Sequence, residues 1–143
     1  GLALGTALMK TGWAATLVNA IPFGIMPALA VLVVSGIVGY VISNFLSHTS
    51  AANLLLPILT AIAVGAMGTP MGDQLELLGG VQALLIGLAI STSVAMILPI
   101  STPPNAIASS TGLIETKDMA KVGIILGVVG LVLGYGVLIF VGF

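Results

Sequence analysis

Two short polar segments stand in an otherwise almost continuously apolar chain, and their residue types could bind ions. Residues 43–50 carry serine, asparagine, histidine and threonine, and residues 99–105 carry serine, threonine, asparagine and three prolines. Hydroxyl groups coordinate hard cations and donate hydrogen bonds to carboxylates. An unsatisfied polar group in hydrocarbon costs several kcal/mol, so a broken helix is kept at membrane depth where it lines a cavity or binds a ligand. A pair of such breaks indicates the binding site of a transporter.

Each break brings the ends of two helices together. A helix that ends near Ser43 turns its carbonyl end, with partial negative charge, toward the first break, and a helix that starts near Thr49 turns its N–H groups there. The second break repeats this arrangement with a helix ending at Leu98 and another starting near Asn105, because Pro103 and its neighbouring proline forbid a continuous helix. One site could therefore attract a cation with one helix end and an anion with another.

Both breaks also have structural interpretations. Serine and threonine in membrane helices often bond to carbonyls of their own or a neighbouring helix, and a Pro-Pro pair is often only a loop. His48, the one histidine, either holds the tip of the first break as a neutral imidazole or titrates and contacts the substrate. A stripe of small residues on the last helix predicts close helix packing: Gly123, Gly127, Gly130 and Gly134.

The composition predicts an all-α integral membrane protein. Of the 143 residues 59% are hydrophobic and only 5% are charged, whereas a soluble domain carries about 25% charged residues. Three Lys+Arg exclude a nucleic-acid surface, and the lack of cysteine excludes disulfides and thiolate metal sites. The first residues lack methionine and a basic stretch, so no signal peptide is predicted and the chain resembles a piece of a longer protein.

An enzyme is not expected. Paired carboxylates, a metal-ligand cluster and a Ser-Lys arrangement do not appear in the sequence. Asp73 and Glu76 lie in a predicted loop without a partner base. The sequence therefore predicts no cofactor.

The apolar runs divide the chain into five predicted segments. The runs on either side of the first break are each about long enough to cross a membrane, so they form either two spans or one re-entrant hairpin. The uncharged tip favours the hairpin. The segments are short connecting helices over 1–24, a re-entrant helical hairpin over 25–68, an extracellular loop over 69–77, a transmembrane helix over 78–113 that is broken at 99–105, and a final transmembrane helix over 114–143.

The few charges predict an orientation. Lys117 and Lys121 precede the last helix, which places that loop in the cytoplasm. Asp73 and Glu76 lie one span away and therefore fall on the opposite side.

Two motifs in the sequence resemble those of a known family. Residues 47–49, Ser-His-Thr, followed by residues 50–57, resemble the second Ser-Asn-Thr signature of the divalent anion:sodium symporter family. Residues 98–107 resemble its Leu-Pro-x-x-Thr-Pro-Pro-Asn-Ala signature, and residues 1–12 resemble a family helix that ends in Thr-Gly. The likeness covers the whole chain, but only the C-terminal repeat of the family protein.

The resemblance implies a dimeric secondary transporter with inverted repeats and an elevator-like motion, of which this chain is one half. The first break would be the tip of a re-entrant hairpin that opens to the outside. By resemblance, the residues that contact the substrate are Ser47, His48, Thr49, Thr102 and Pro103. The residues that match the second sodium site, partly through carbonyl oxygens, are Ser43, Leu46, His48 and Ser101.

His48 departs from the family signature, which has asparagine at this position. An amide offers sodium a carbonyl oxygen, whereas an imidazole is a poor sodium ligand and can carry a positive charge itself. A protonated His48 could replace the ion. Proton coupling and anion exchange are therefore alternatives to sodium coupling.

The function that follows is secondary active transport of divalent anions, with di- and tricarboxylates first and sulfate second. The expected partners are a small anionic substrate, an N-terminal repeat of inverted topology, a second copy of the protein and the lipid bilayer. The expected location is the cell (inner) membrane, crossed several times. The alternative is a non-transporting membrane module whose hydroxyl and glycine residues serve packing and assembly only.

Overall fold

The computed structural model describes Lys10, Thr11, Thr16 and residues 25–141, and every regular element within these residues is helical. This confirms the all-α prediction. The connecting helices predicted over 1–24 lie outside the described residues, apart from Lys10, Thr11 and Thr16. The elements are α1 (Ala28–Phe45), α2 (His48–Gly65), α3 (Pro70–Leu77), α4 (Gly80–Ser93), a 3₁₀ turn (Pro99–Ser101), α5 (Pro103–Ser110) and α6 (Thr116–Val141).

Helices α1 and α2 form a hairpin with a two-residue turn at Leu46 and Ser47. Ala28 near the start of α1 and Ala63 near the end of α2 share one hydrophobic cluster. At the other end, Leu46 clusters with Ala51 and the residues that follow it. The two helices therefore run antiparallel. The re-entrant placement of residues 25–68 stays a prediction.

Among the described residues, α1, α2 and α6 are each long and apolar enough to cross a membrane. Helices α3 and α4 are joined at an angle of 67° and can be taken together as one bent span. The final helix covers most of the predicted segment 114–143.

Helix α4 lies at the centre of the described structure and packs against α1, α2 and α6. Its Leu84 and Leu88 are fully buried. Burial of such side chains is the main favourable term that holds helices together in water, but in a bilayer close packing and hydrogen bonds carry that role. The core around α4 consists of Ala28, Val31, Leu32, Ala63, Leu75, Ala83, Leu84, Tyr135 and Leu138.

Most of the predicted extracellular loop over 69–77 is helical, over Pro70–Leu77, and its extracellular placement stays a prediction. Thr69 caps this helix, its Oγ1 accepting a hydrogen bond from the Gly72 N–H at 3.3 Å. Proline suits the first helical position, since its missing N–H would be unpaired there in any case. Leu75 is buried and ties the short helix to the core. In the sequence, the charged residues Asp73 and Glu76 favour a loop, although the Thr69 cap and the proline after it are typical of a helix start.

The break predicted at 99–105 begins earlier than expected. Helix α4 ends at Ser93 rather than at Leu98, and α5 already starts at Pro103. Proline disfavours α conformation in the residue before it, which explains Leu98 but not the earlier residues. At this end the hairpin binds the carbonyl oxygens of Thr92 and Ala95, which supports a chain that leaves the helix at Ser93.

The predicted glycine stripe on α6 packs closely, as expected. A Cβ atom on any of these residues would meet a neighbouring element within contact distance. Two of them lie against the end of α4 and the residue after it, one against α1 and one against the broken segment: Gly134 on Ile90, Gly130 on Val94, Gly127 on Tyr40 and Gly123 on Met96.

Tyr135 joins α6 to both α1 and α4. Its hydroxyl donates to the carbonyl oxygen of Leu32 at 3.3 Å and lies 3.1 Å from the Ser91 hydroxyl. Gly36 provides the space for this hydroxyl, since a Cβ there would overlap it and lie 2.8 Å from Ser91 Oγ. The contact thus depends on a residue without a side chain.

We expect Gly36→Ala to destabilise the protein, because the added methyl displaces the Tyr135 hydroxyl from its partners. Overpacking of this kind costs about 1–3 kcal/mol. The measurement is thermal unfolding of the purified protein in detergent. Gly136→Ala is the matched control, since a Cβ on Gly136 meets nothing within 4 Å and alanine favours the helix. Equal stability of the two variants would contradict this packing.

Candidate functional site

The first break is the turn between α1 and α2, and it is held by its own hydroxyl groups. Ser47 caps α2: its Oγ accepts from the Ser50 N–H at 3.3 Å and lies 2.8 Å from the Ser50 hydroxyl. Ser43 and Asn44, in the last turn of α1, are buried. The tip is therefore a hydroxyl-capped turn beside two buried polar side chains of α1.

The second break runs from Val94 to Thr102 and ends in a cap of the same kind. Thr102 Oγ1 accepts from the Asn105 N–H at 3.3 Å at the start of α5. The Asn105 side chain reaches back and donates from Nδ2 to the Met96 carbonyl oxygen at 3.3 Å. Each break thus ends in a hydroxyl-capped helix N-terminus, where backbone N–H groups favour an anion.

Side chains of the hairpin bind two backbone carbonyl groups at and just beyond the end of α4. Ser43 Oγ donates to the Thr92 carbonyl oxygen at 3.0 Å. His48 Nε2 lies 2.8 Å from the Ala95 carbonyl oxygen. A carbonyl oxygen can only accept, so Nε2 carries a proton and donates. These two bonds join both sides of the tip to the end of the broken helix.

The broken segment binds the tip in return. The Ile97 N–H donates to Asn44 Oδ1 at 2.8 Å, and Ser101 Oγ donates to the Asn44 carbonyl oxygen at 3.2 Å. The two breaks, about fifty residues apart in sequence, therefore satisfy one another's backbone groups. They form one site rather than two independent kinks.

The structure places the residues of the predicted substrate set in one region. Ser47, His48 and Thr102 are half-buried. Ser47 caps α2, Thr102 caps α5, and His48 binds the Ala95 carbonyl oxygen. Thr49 and Pro103 are exposed at the first turns of α2 and α5. Contact of these residues with a substrate stays a prediction.

The predicted cation set is more deeply buried. Ser43 and Ser101 are almost completely inaccessible and each donates to a backbone carbonyl. Leu46 is buried, and its N–H donates to the Ile42 carbonyl oxygen at 2.9 Å. His48 is the fourth member. A role of these residues in holding a cation also stays a prediction.

Asn44 is the residue that sequence reasoning missed. It is buried, and both its side chain and its backbone carbonyl contribute to the link between the breaks. The sequence signal for Asn44 was an amide side chain in the last turn of a predicted membrane helix. A polar side chain that is buried there needs hydrogen-bond partners, so it is a candidate for binding another segment.

Apart from the His48 imidazole, the two segments have no ionisable side chain. Residues 43–50 and 94–105 contain no Lys, Arg, Asp or Glu. The ion pairs Lys117–Glu115 and Lys121–Asp118 are exposed at the start of α6. Within the described residues, no group of three His, Cys, Asp or Glu side chains could hold a metal ion. The groups that these segments offer are helix ends, hydroxyl groups, carbonyl oxygens and the His48 imidazole.

Comparison with known proteins gives the family. A family model described as "Sodium:sulfate symporter transmembrane region" matches residues 1–141. The chain belongs to this family. The match confirms the family resemblance that the two signature motifs indicated.

Relatives of known name support the assignment. The chain is 34% identical over 107 residues to the Na(+)/dicarboxylate cotransporter 3 of Rattus norvegicus, covering 75% of this chain and 16% of the relative. It is 33% identical over 125 residues to the sodium-dependent dicarboxylate transporter SdcS of Staphylococcus saprophyticus, covering 86% and 22%. It is 29% identical over 131 residues to human solute carrier family 13 member 1, covering 91% and 20%.

The chain spans between a sixth and a quarter of the length of these relatives. This partial coverage fits a C-terminal fragment of the family protein. The relatives are named as transporters, which agrees with the prediction that the chain is not an enzyme.

We expect Ser43→Ala to weaken the link between the breaks, because it leaves the Thr92 carbonyl without its side-chain donor in a buried position. Because the Thr92 carbonyl oxygen still accepts from the Ala95 N–H at 3.4 Å, the expected loss is that of one net hydrogen bond, about 0.5–1.5 kcal/mol. Unfolding in increasing mole fractions of dodecyl sulfate measures it. Ser93→Ala, an exposed position one residue beyond Thr92, is the control. A Ser43→Ala midpoint equal to that of the control would show that the bond contributes nothing.

Proposed function

We propose that this chain forms one half of the transport site of a divalent-anion transporter. The single observation that carries the proposal is the joining of the two polar breaks by hydrogen bonds from Ser43, His48, Ile97 and Ser101. A pair of broken helices that meet is the arrangement in which transporters bind their ligands near the bilayer midplane. The hairpin of α1 and α2 would then be re-entrant, with its tip at that depth.

The substrate class that the site suits best is a di- or tricarboxylate, with sulfate second. Helices α2 and α5 both begin at the site with a hydroxyl cap, and the N–H groups of a helix start attract anions. Thr49 and Pro103 are exposed next to these starts. Two of the relatives are named for dicarboxylate transport.

Sodium is the first candidate for the coupling ion. Ser43, Leu46 and Ser101 can offer only hydroxyl or carbonyl oxygens, which are the ligands that hard cations prefer. His48 differs, because its Nε2–H already donates to Ala95. This nitrogen is not open to a cation, so His48 serves as a donor that holds the tip. Exchange or proton coupling remains the alternative.

The proposed surroundings follow from the resemblance. The chain would pack against an N-terminal repeat of inverted topology, and two copies of the whole protein would form a dimer in the cell (inner) membrane. Helix α6 presents exposed apolar side chains over most of its surface, including Val132, Leu133 and Phe140. Such a surface suits lipid or another apolar helix.

One observation favours the alternative of a non-transporting packing module. The buried hydroxyl groups of Ser43 and Ser101 already have backbone partners within the chain. Groups satisfied in this way can serve packing alone. Uptake measurements separate the two functions.

We expect Thr102→Val to lower uptake of a radiolabelled C4-dicarboxylate at least tenfold, because valine removes both the cap of α5 and a hydroxyl group of the site. The assay uses proteoliposomes that contain the full-length transporter. Thr102→Ser keeps the hydroxyl and should retain uptake, and Thr60→Val, which loses only a bond within α2, should be neutral. Absence of uptake by the wild type would favour the packing module, and unchanged uptake by Thr102→Val would remove this residue from the site.

We expect His48→Asn to increase the dependence of uptake on a sodium gradient, because an amide can offer an oxygen ligand where the imidazole donates. Uptake is measured with sodium or choline outside, between about pH 5 and 8, where histidine commonly titrates. In the wild type, a weak sodium dependence with a rate that changes over this range would support exchange or proton coupling. Strict sodium dependence and no pH effect in both proteins would leave His48 with a structural role only.

A further inference from the structure

Asn44 holds three hydrogen bonds at the point where the two breaks meet. Its Nδ2 donates to the Tyr40 carbonyl oxygen at 2.8 Å, one turn earlier in α1. Its Oδ1 accepts from the Ile97 N–H at 2.8 Å, and its backbone carbonyl accepts from Ser101 Oγ at 3.2 Å. Only 4% of the residue is exposed.

The two partners of the amide determine its orientation. The Tyr40 carbonyl can only accept and the Ile97 N–H can only donate, so the nitrogen must face the first and the oxygen the second. The bond to Tyr40 fixes the side chain on its own helix. The bond to Ile97 then fixes the backbone of the broken segment at a set distance from α1.

The residues on either side of this link are those predicted to bind the ligands. Asn44 lies directly after Ser43 and three residues before Ser47, and Ile97 precedes the turn that carries Ser101 and Thr102. A change in the separation of Asn44 and Ile97 must therefore move one wall of the site relative to the other.

We propose that Asn44 is a positioning residue that sets the spacing between the hairpin tip and the broken segment. It acts through the Ile97 N–H and not by contact with the substrate. The proposal rests on the proposed function for its effect on transport, whereas its structural part stands independently of transport. A misplacement of binding groups weakens binding more than it changes later steps.

The first experiment measures the link itself by hydrogen exchange of the backbone amides in the full-length protein. In Asn44→Ala, the Ile97 amide loses its acceptor and should exchange roughly tenfold faster or more, as expected for the loss of a buried hydrogen bond. Asn53→Ala is the matched control, since Asn53 lies exposed on α2. Unchanged exchange at Ile97 in Asn44→Ala would overturn the proposal.

The second experiment measures dicarboxylate uptake by the same variants in proteoliposomes. Asn44→Ala should raise KM roughly five- to fiftyfold with little change in maximal rate per folded protein, the factor expected for one buried hydrogen bond. A residue that only stabilises the fold would lower the amount of folded protein and leave KM unchanged. That result, together with faster exchange at Ile97, would also overturn the positioning role.

Asn44→Asp keeps the test decisive if the alanine variant does not fold. A protonated carboxyl can donate to Tyr40 and accept from Ile97 as the amide does, whereas a carboxylate cannot donate. Uptake at low substrate concentration, normalised to the wild type at each pH, should therefore recover as the pH falls. A flat ratio would contradict the proposal. Faster Ile97 exchange in Asn44→Ala, together with an absence of uptake by the wild type, would refute the proposed function and leave the structural link intact.

Discussion

The structure depends on the mutual satisfaction of backbone groups at the two helix breaks. A helix that ends inside a membrane leaves carbonyl and N–H groups that hydrocarbon cannot solvate. Here the hairpin supplies donors for Thr92 and Ala95, and Asn44 supplies acceptors for the broken segment. Each break therefore supplies hydrogen-bond partners for the other. Loss of one of these side chains removes a hydrogen bond that joins the breaks, so single substitutions should weaken the link.

This constraint explains the arrangement of the helices. The hairpin must lie beside the end of α4, which places α4 between α1 and α2 in the described structure. Helix α6 then approaches through its glycines and through Tyr135, whose hydroxyl meets Leu32 and Ser91. Small residues allow backbones to approach closely where no hydrophobic force drives association. Packing and hydrogen bonding thus support the same geometry.

The chemistry of the site follows from its neutrality. Helix ends provide partial charges without ionised side chains, and formal charges would be costly at the proposed depth of the site in the membrane. Ser47 and Thr102 cap the starts of α2 and α5, and the end of α4 faces the same region. When a charged ligand leaves a site of this kind, no ionised side chain is left without a partner. This property suits the proposed transport. His48 is the one ionisable side chain in these segments, and its bond to the Ala95 carbonyl oxygen gives it a structural role.

The sequence by itself determined the membrane class, the helical fold, the two breaks and the family, because apolar runs, prolines and the signature motifs are local features. It could not determine that Pro70–Leu77 is helical, since charged residues there masked the cap at Thr69. The end of α4 at Ser93 and the role of Asn44 were decided only by tertiary structure. Both depend on partners about fifty residues away in the chain. A helix can end wherever a side chain distant in sequence replaces the hydrogen bonds that its backbone loses. The local sequence does not predict where that side chain will lie.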